Sequence, residues 1–303
     1  LPIGNIAAEE VDTLKIVDVE EVLIIAAPKE NRKLRELPNA VTLLSQQDMQ
    51  AAQVNSIKNL TALVPNIFIP DYGSRLTSAV YIRGIGSRIN TPSVGLYVDN
   101  IPYIDKSAFD FNYSDIERID VLRGPQGTLY GRNAMGGLIK VHTKSPFSYQ
   151  GTDFRIGAGT HNQYNTSVTH YHRMNERFAF SAGGFYEYEG GFFRNAALNN
   201  KKIDKGQSAG GRFRGIYLPS DNWKADLNVS YEYSDQGGYP YYYTGSVNPA
   251  AQSEEMKPYV GTISNNRESD YYRNLMNAGL NLEYQAQHFT LSAVTGYQFL
   301  KDR

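Results

Sequence analysis

From Trp223 to Tyr233 every second residue is apolar or aromatic (Trp223, Ala225, Leu227, Val229, Tyr231, Tyr233), and Lys224, Asp226, Asn228, Ser230 and Glu232 lie between them. That period of two marks a strand with one apolar and one polar face. Tyr272 to Tyr284 repeats it, with Met276, Ala278, Leu280 and Leu282 against Arg273, Asn277, Asn281 and Glu283. Phe289, Leu291, Ala293, Tyr297 and Phe299 continue the series. The texture begins after Pro146, and about seven strands fit before Arg303, a pattern that membrane barrels share. Short turns at Met174-Asn175, Pro219 to Asn222 and Ala286-Gln287 alternate with long links at Gly190 to Gly206 and Gln236 to Asp270. In such a barrel short turns face the periplasm and long loops the exterior, which puts both long links outside the cell and makes His161-Asn162 an unusually short first outer loop.

The first half reads differently. Val41 to Leu44 forms a short strand, Ser45 is a helix N-cap with Asp48 at the third position, and Met49 to Ala52 continues the helix. A second helix starts at Ser56, where Ile57, Leu60, Leu63 and Val64 make one apolar face that Pro65 ends. A polar loop, Asp71 to Thr77, precedes the run Val80 to Gly86. Ser93 to Pro102 reads as strand and turn, in which Asn100 tolerates a positive φ. Asp115 to Lys144 is strand, glycine-rich connection and strand. Ile116, Ile119, Val121 and Leu122 are interleaved there with Glu117, Arg118, Asp120 and Arg123, and charges so placed require an internal ion-pair network. Arg83 and Arg123 each sit in an apolar run and are expected to pair with carboxylates, the alternative being plain surface charge. Gly124, Gly127, Gly131, Gly136 and Gly137 permit tight turning before Leu138 to Thr143 resumes as a strand. A phosphate-cradling loop is excluded, because Gly136-Gly137 is followed by Leu138-Ile139 rather than Lys-Ser/Thr.

Composition narrows the class further. The 303 residues contain no cysteine, so disulfides, thiol catalysis and cysteine metal sites are out. Tyr 23, Phe 13 and Gly 27 against a single Trp suit aromatic girdles, and also a soluble all-β domain. A net charge of -1 gives no electrostatic case for nucleic acid. No apolar run is long enough for a membrane helix, which leaves membrane strands open. The chain opens at Leu1 without methionine or leader, so an export signal is expected to have been removed or not included. His170 and His172 share one strand face but lack a third ligand, and no catalytic constellation stands out; neither metal, cofactor nor enzyme activity is expected. Tyr239, Tyr241, Tyr242 and Tyr243 cluster in an expected outer loop, as ligand contacts or as interface markers.

The stretch Asp115 to Lys144 closely resembles the end of the plug domain of TonB-dependent outer-membrane receptors. Ile82-Arg83-Gly84-Ile85-Gly86 is similar to the family's IRG-x-G element. Asp99-Asn100-Ile101-Pro102 is similar to its Asp-Gly-x-Pro turn, with asparagine in place of glycine. Glu20, Glu21, Val22, Leu23 and Ile24 resemble a TonB box, captured by strand addition, though an ordinary first strand fits the pattern as well. The resemblance implies a mixed α+β plug followed by antiparallel transmembrane β-barrel strands. Its divisions would be a tail with the box over residues 1–25, a plug over 26–147, and the N-terminal portion of a barrel over 148–303. Seven strands are too few to close a plugged barrel, so the barrel is expected to be incomplete in this chain. It further implies active import across the bacterial outer membrane of a scarce nutrient, first a ferric siderophore, then haem or cobalamin, with glycans lower. The partners would be TonB of the inner-membrane energising complex, an extracellular metal chelate and outer-membrane lipid. Arg83 and Arg123 would pair with barrel carboxylates, and Tyr72, Arg75, Ser87, Arg88 and Asn90 on the plug apex would contact ligand. The rivals of another class are a signalling receptor, which needs a folded domain ahead of the box, and a passive porin or adhesin, which needs no plug.

Overall fold

A computed structural model describes residues 23–25, 31–33, 40–54, 56–70, 79–88, 91–112, 114–238, 240–246 and 253–303. A short antiparallel hairpin comes first, β1 (Leu23–Ile25) with β2 (Asn31–Lys33). The next strand, β3 (Ala40–Ser45), runs into helix α1 (Gln46–Ala51). Ser45 and Asp48 form a reciprocal capping box: Ser45 Oγ accepts from Asp48 N at 3.2 Å and Asp48 Oδ2 accepts from Ser45 N at 3.0 Å. Ser56 likewise caps a helical turn at Ile57–Asn59 that passes into α2 (Leu60–Leu63), with Ile57 and Leu60 fully buried. Both helix starts fall where the capping residues place them.

Three strands, β4 (Ile67–Phe68), β5 (Tyr81–Ile82) and β6 (Ile85–Gly86), make a small antiparallel sheet. The larger sheet of this half adds β7 (Val94–Val98), β8 (Ile101–Tyr103), β9 (Ile116–Arg123) and β10 (Gly137–Thr143), in the order β3-β9-β10-β7-β8. Only the β10·β7 pairing is parallel. A one-turn helix, α3 (Gly127–Tyr130), lies between β9 and β10. At the start of β10 Gly137 has a φ of +149°, and a Cβ there would overlap the Leu122 carbonyl oxygen, so the glycine is required by space and backbone together. Between β7 and β8 the turn residues Asp99 and Asn100 have φ of 47° and 70°, the two positive values of a tight hairpin turn. Ile57, Leu60, Ile82, Leu96, Phe109, Ile119, Val121 and Ile139 form the core of this half.

The second half is one seven-stranded antiparallel sheet: β11 (Gly151–Gly159), β12 (Gln163–Arg173), β13 (Phe178–Glu189), β16 (Gly206–Ser220), β17 (Trp223–Gly237), β18 (Asp270–Gln285) and β19 (Thr290–Asp302). Each strand pairs with the next, and β11 and β19 are its two edges, so the barrel is open among the described residues. A small hairpin, β14 (Arg194–Asn195) with β15 (Lys201–Lys202), lies in the link between β13 and β16. Residues 174–177, 221–222 and 286–289 make the short turns at one end. The link 190–205, the described residues 240–246 and 253–269 of the next link, and the tight turn 160–162 stand at the other.

Candidate functional site

The large sheet is inside-out relative to a water-soluble protein. On β17 the apolar parity is exposed, Leu227 at 41% and Tyr231 at 48%, while the polar parity is buried, Asp226 at 4% and Glu232 at 5%. Near the short-turn end the outward face carries a ring contact series: Phe178 with Phe180 and Tyr217, Phe180 with Phe213, and Trp223 with Tyr284, which meets Phe289. Nearer the long links Tyr164, Tyr186 and Tyr231 are exposed on the same face. Along β13 the two belts are eight residues apart, from Phe178 to Tyr186, a path of roughly 26 Å at strand rise. At the roughly 40° tilt of barrel strands that path gives about 20 Å of height, and two aromatic belts about an apolar band of that order are the outer wall of a membrane barrel.

The buried parity of that wall holds the N-terminal half through charged side chains. Arg214 on β16 makes a fork with Asp226 on β17 (2.8 and 3.0 Å), and its Nη1 donates to Thr143 O at 3.1 Å and Thr143 Oγ1 at 2.9 Å. The same Nη1 is 3.4 Å from Asp99 Oδ1. Asp99 also accepts from Thr143 N (2.9 Å), Thr143 Oγ1 (2.7 Å) and Asn228 Nδ2 (2.6 Å), and its carbonyl accepts from Asn281 Nδ2 at 2.8 Å. Burial pushes the Asp99 carboxyl toward its neutral form, but the Arg214 guanidinium and the Thr143 bonds prevail and hold its pKa below the usual value. Nearer the long links Arg212 Nη1 pairs with Asp115 at 2.8 Å and its guanidinium stacks over Phe111. Higher again, the fully buried Arg273 pairs with Glu232 at 2.5 Å and donates to the carbonyls of Ser107 and Asp110. Asn112 donates to Glu187 at 2.7 Å beside it. Apolar contact joins in at Gly279, where a Cβ would overlap the Ile101 side chain, and at Gly296, whose Cβ would lie 3.1 Å from Ile101 Cγ2. Ile101 at the head of β8 is thus a knob in a notch of the wall.

The expected network residues are placed as follows. Arg118 and Asp120 pair at 2.7 Å on β9, and His142 Nε2 is 2.9 Å from Asp120. Glu117 is exposed and forms no ion pair among the described residues. Arg123 is half-buried and donates to the Pro65 carbonyl at 3.3 Å, not to a barrel carboxylate. Arg83 departs from the expected strand interior: with Gly84 it forms the exposed β5–β6 turn, at φ of 53° and 79°, where a charge stays hydrated and needs no partner. The cross-domain arginine pairs therefore run opposite to expectation, with Arg212 and Arg214 on the wall and Asp115 and Asp99 on the N-terminal half, whereas Lys144 of that half pairs with Asp153 on β11 at 2.5 Å. Arg212 and Arg214 escaped sequence reasoning, and Arg273 was read only as a polar-face residue without a partner, although each occupies the polar parity of its strand.

Of the expected ligand contacts, Arg88 is exposed and Ser87 half-buried, and the Arg88 carbonyl accepts from Lys106 Nζ. Tyr72, Arg75 and Asn90 lie outside the described residues, as do Glu20, Glu21 and Val22. Leu23 and Ile24 are in β1, opposite Lys33 and Arg32. His170 and His172 point outward with the aromatic belt, their rings stacked at 5.9 Å.

A polar-lined, lipid-faced wall holding an α+β domain by ion pairs defines a plugged outer-membrane barrel. Residues 33–138 match the family model of the TonB-dependent receptor plug domain. The vitamin B12 transporter BtuB of Vibrio vulnificus (strain CMCP6) is 28% identical over 273 residues, 82% of this chain and 41% of the relative. The pesticin receptor of Yersinia pestis is 33% identical over 132 residues, 43% of this chain and 20% of the relative. Among solved structures, the ferric yersiniabactin uptake receptor FyuA from Yersinia pestis superposes with a TM-score of 0.77 at 21% identity, over 91% of this chain and 43% of that one. The open form of the ferric-catecholate import receptor Fiu from E. coli K12 gives 0.70 at 17%, over 91% and 41%. At these identities the two structures speak to fold alone. The chain spans at most about two fifths of the length of the curated relatives it matches. Over residues 33–138 the chain carries the plug domain of the TonB-dependent receptors, and its strand-rich half shares the fold of the outer-membrane receptors on which it superposes.

Proposed function

We propose that the complete receptor imports a ferric siderophore across the outer membrane, with residues 26–147 as the plug and 148–303 as the first part of the barrel. The observation that carries this reading is the chemistry of the surface at the long-link end. The 190–205 link contains Arg194, Lys201, Lys202 and Lys205 against Asp204, and exposes Phe192 and Phe193. It is tied to the 238–269 link by Ala196 N to Ile263 O (2.8 Å), Asn195 to Asn265 O (2.8 Å) and Lys201 to Glu268 (2.6 Å). That second link exposes Tyr241 and Tyr242. Below them Lys106 and Arg88 bring two more cations together near the level of Arg273, three residues into β18 from that end. Rings and cations over one mouth suit an anionic, aromatic chelate, which they bind by stacking and charge-assisted hydrogen bonds.

Energy enters on this reading at the Glu20 to Ile24 box, captured by TonB through strand addition. Ion pairs between plug and wall are the right material for a plug that must shift, since in a wet lumen they exchange partners without stranding a charge. A second reading, cobalamin import, is favoured by the BtuB match, whose alignment runs through 82% of this chain. Uptake by iron-starved cells of iron-55 chelates (catecholate, phenolate and hydroxamate) and of radiolabelled cobalamin, with and without the receptor gene, separates them. Loss of one iron chelate with cobalamin uptake intact supports the siderophore reading. Loss of cobalamin alone replaces it with the second.

A further inference from the structure

The lipid-facing side of β12 carries two imidazoles. Phe154 and Ile156 on β11, Val168 on β12, and Phe180 and Ala182 on β13 share the outward parity of the first three wall strands. His170 and His172 stand on that same parity, both exposed. Thr152 Oγ1 lies 2.8 Å from His170 Nδ1, and the other three ring nitrogens have no hydrogen-bond partner among the described residues. Polar rings on this face need a polar partner from the membrane, since acyl chains supply none.

Register fixes their depth. β11 begins at Gly151, opposite Tyr171, so Thr152 and His170 lie at the short-turn rim of that edge strand. His172 precedes Arg173, the last residue of β12, and pairs with Phe180, whose ring it meets at 5.8 Å. Phe180 belongs to the aromatic series of the short-turn end, and such belts lie at headgroup level. Spacing then selects the ligand. The two rings are 17° from parallel, with centroids 5.9 Å apart. Nitrogens sharing one tetrahedral metal stand only about 3.3 Å apart, and no group of three His, Asp or Glu suited to a metal occurs among the described residues. Two N–H donors on opposite sides of a phosphate, each bonded at about 2.8 Å, stand roughly 6–8 Å apart. With the Thr152 hydroxyl donating to Nδ1, the His170 proton is on Nε2, at the far side of the ring. We propose that His170 and His172 clamp the phosphodiester of a periplasmic-leaflet phospholipid, whose acyl chains run toward the membrane centre over Val168, Phe154 and Ile156. The site is on the outside of the wall, so it stands apart from the import reading.

The test uses the full-length receptor in dodecylmaltoside micelles doped with dioleoylphosphatidylglycerol or with dioleoylglycerol, which has the same chains and no phosphate. Diethylpyrocarbonate modification of each histidine is followed by peptide mass spectrometry. His170 and His172 should react several-fold more slowly with phosphatidylglycerol than with dioleoylglycerol, while His161 in the tight outer turn reacts alike in both. Equal rates at His170 and His172 overturn the proposal, and so does protection by Zn²⁺ but not by phosphatidylglycerol, which makes the pair a metal site. In a second arm native mass spectrometry counts the lipid retained after delipidation, with heat-modifiable migration reporting a folded barrel. His170→Phe/His172→Phe keeps the rings and removes the donors, and should lose one retained phosphatidylglycerol, whereas His170→Gln/His172→Gln, with amide donors, should keep part of it. A phenylalanine variant that retains phosphatidylglycerol as the wild type does overturns the clamp. The modification arm needs no variant and judges the proposal even where a substitution prevents folding.

Discussion

Removing the Asp99 carboxylate should loosen the plug from the wall more than any other single truncation at the β7–β8 turn. Asp99→Ala leaves Thr143 N and Asn228 Nδ2 without their acceptor and takes one of two carboxylates from Arg214, which keeps the Asp226 fork. Breaking a buried pair outright costs about 3–5 kcal/mol; with the fork intact the lower end applies, about 3 kcal/mol, or a roughly hundredfold rise in the undocked population. Asp99→Asn keeps the turn, because asparagine accepts the φ of 47°, and keeps an acceptor for Thr143 N, so about 1 kcal/mol is expected, the size of one hydrogen bond. The pH dependence follows from the sign of the shift. A carboxyl held below its ordinary pKa stabilises docking fully above the free value near 4 and loses that contribution as pH falls through its lowered one. Docking should thus survive mild acid and weaken only in strong acid, and Asp99→Asn should remove that dependence. The assay is limited proteolysis of the plug in purified outer membranes between neutral and strongly acidic pH, with heat-modifiable migration reporting that the barrel is intact. An Asp99→Ala plug as protected as wild type would refute the reasoning.

Three further outcomes are expected. Gly279→Leu drives a side chain into the place of Ile101 and should weaken docking by about 1–3 kcal/mol, with Gly279→Leu/Ile101→Ala regaining most of it; failure of the double variant to recover in the proteolysis assay removes the knob-and-notch account. Leu227→Lys puts a charge on the outward face between the two aromatic belts and should cost about 2–4 kcal/mol in folding into bilayers, read as a shifted urea midpoint, whereas Asn228→Lys on the inward face should disturb plug protection instead. Val22→Pro should block strand addition at the box, so that energised uptake is lost while surface binding of the chelate is kept; undiminished uptake would move the box elsewhere.

The wall was legible because two solvents press on one strand. Lipid selects Leu227, Val229 and Tyr231 on one parity and the lumen selects Asp226, Asn228 and Glu232 on the other, so period two survives along the chain. The helix starts at Ser45 and Ser56 were legible for an equally local reason, a cap and its third residue. The ion pairs were not, because their partners are far apart in sequence: 97 residues for Arg212 and Asp115, 115 for Arg214 and Asp99. Asp99 could be seen only as part of a turn, and nothing local marks it as an acceptor for a wall arginine. Arg83 misled for the opposite reason, since Ile82 and Ile85 around it look like one continuous strand, yet two positive φ values in succession make Arg83-Gly84 a reversal. One inference remains available from sequence to the next such chain. An arginine on the polar parity of a barrel strand has lipid behind it, so its counter-charge comes either from the polar parity of the neighbouring strand, as Asp226 for Arg214 and Glu232 for Arg273, or from whatever fills the lumen, as Asp115 for Arg212. The carboxylates of the plug's turns, rather than its arginines, are where that search should begin.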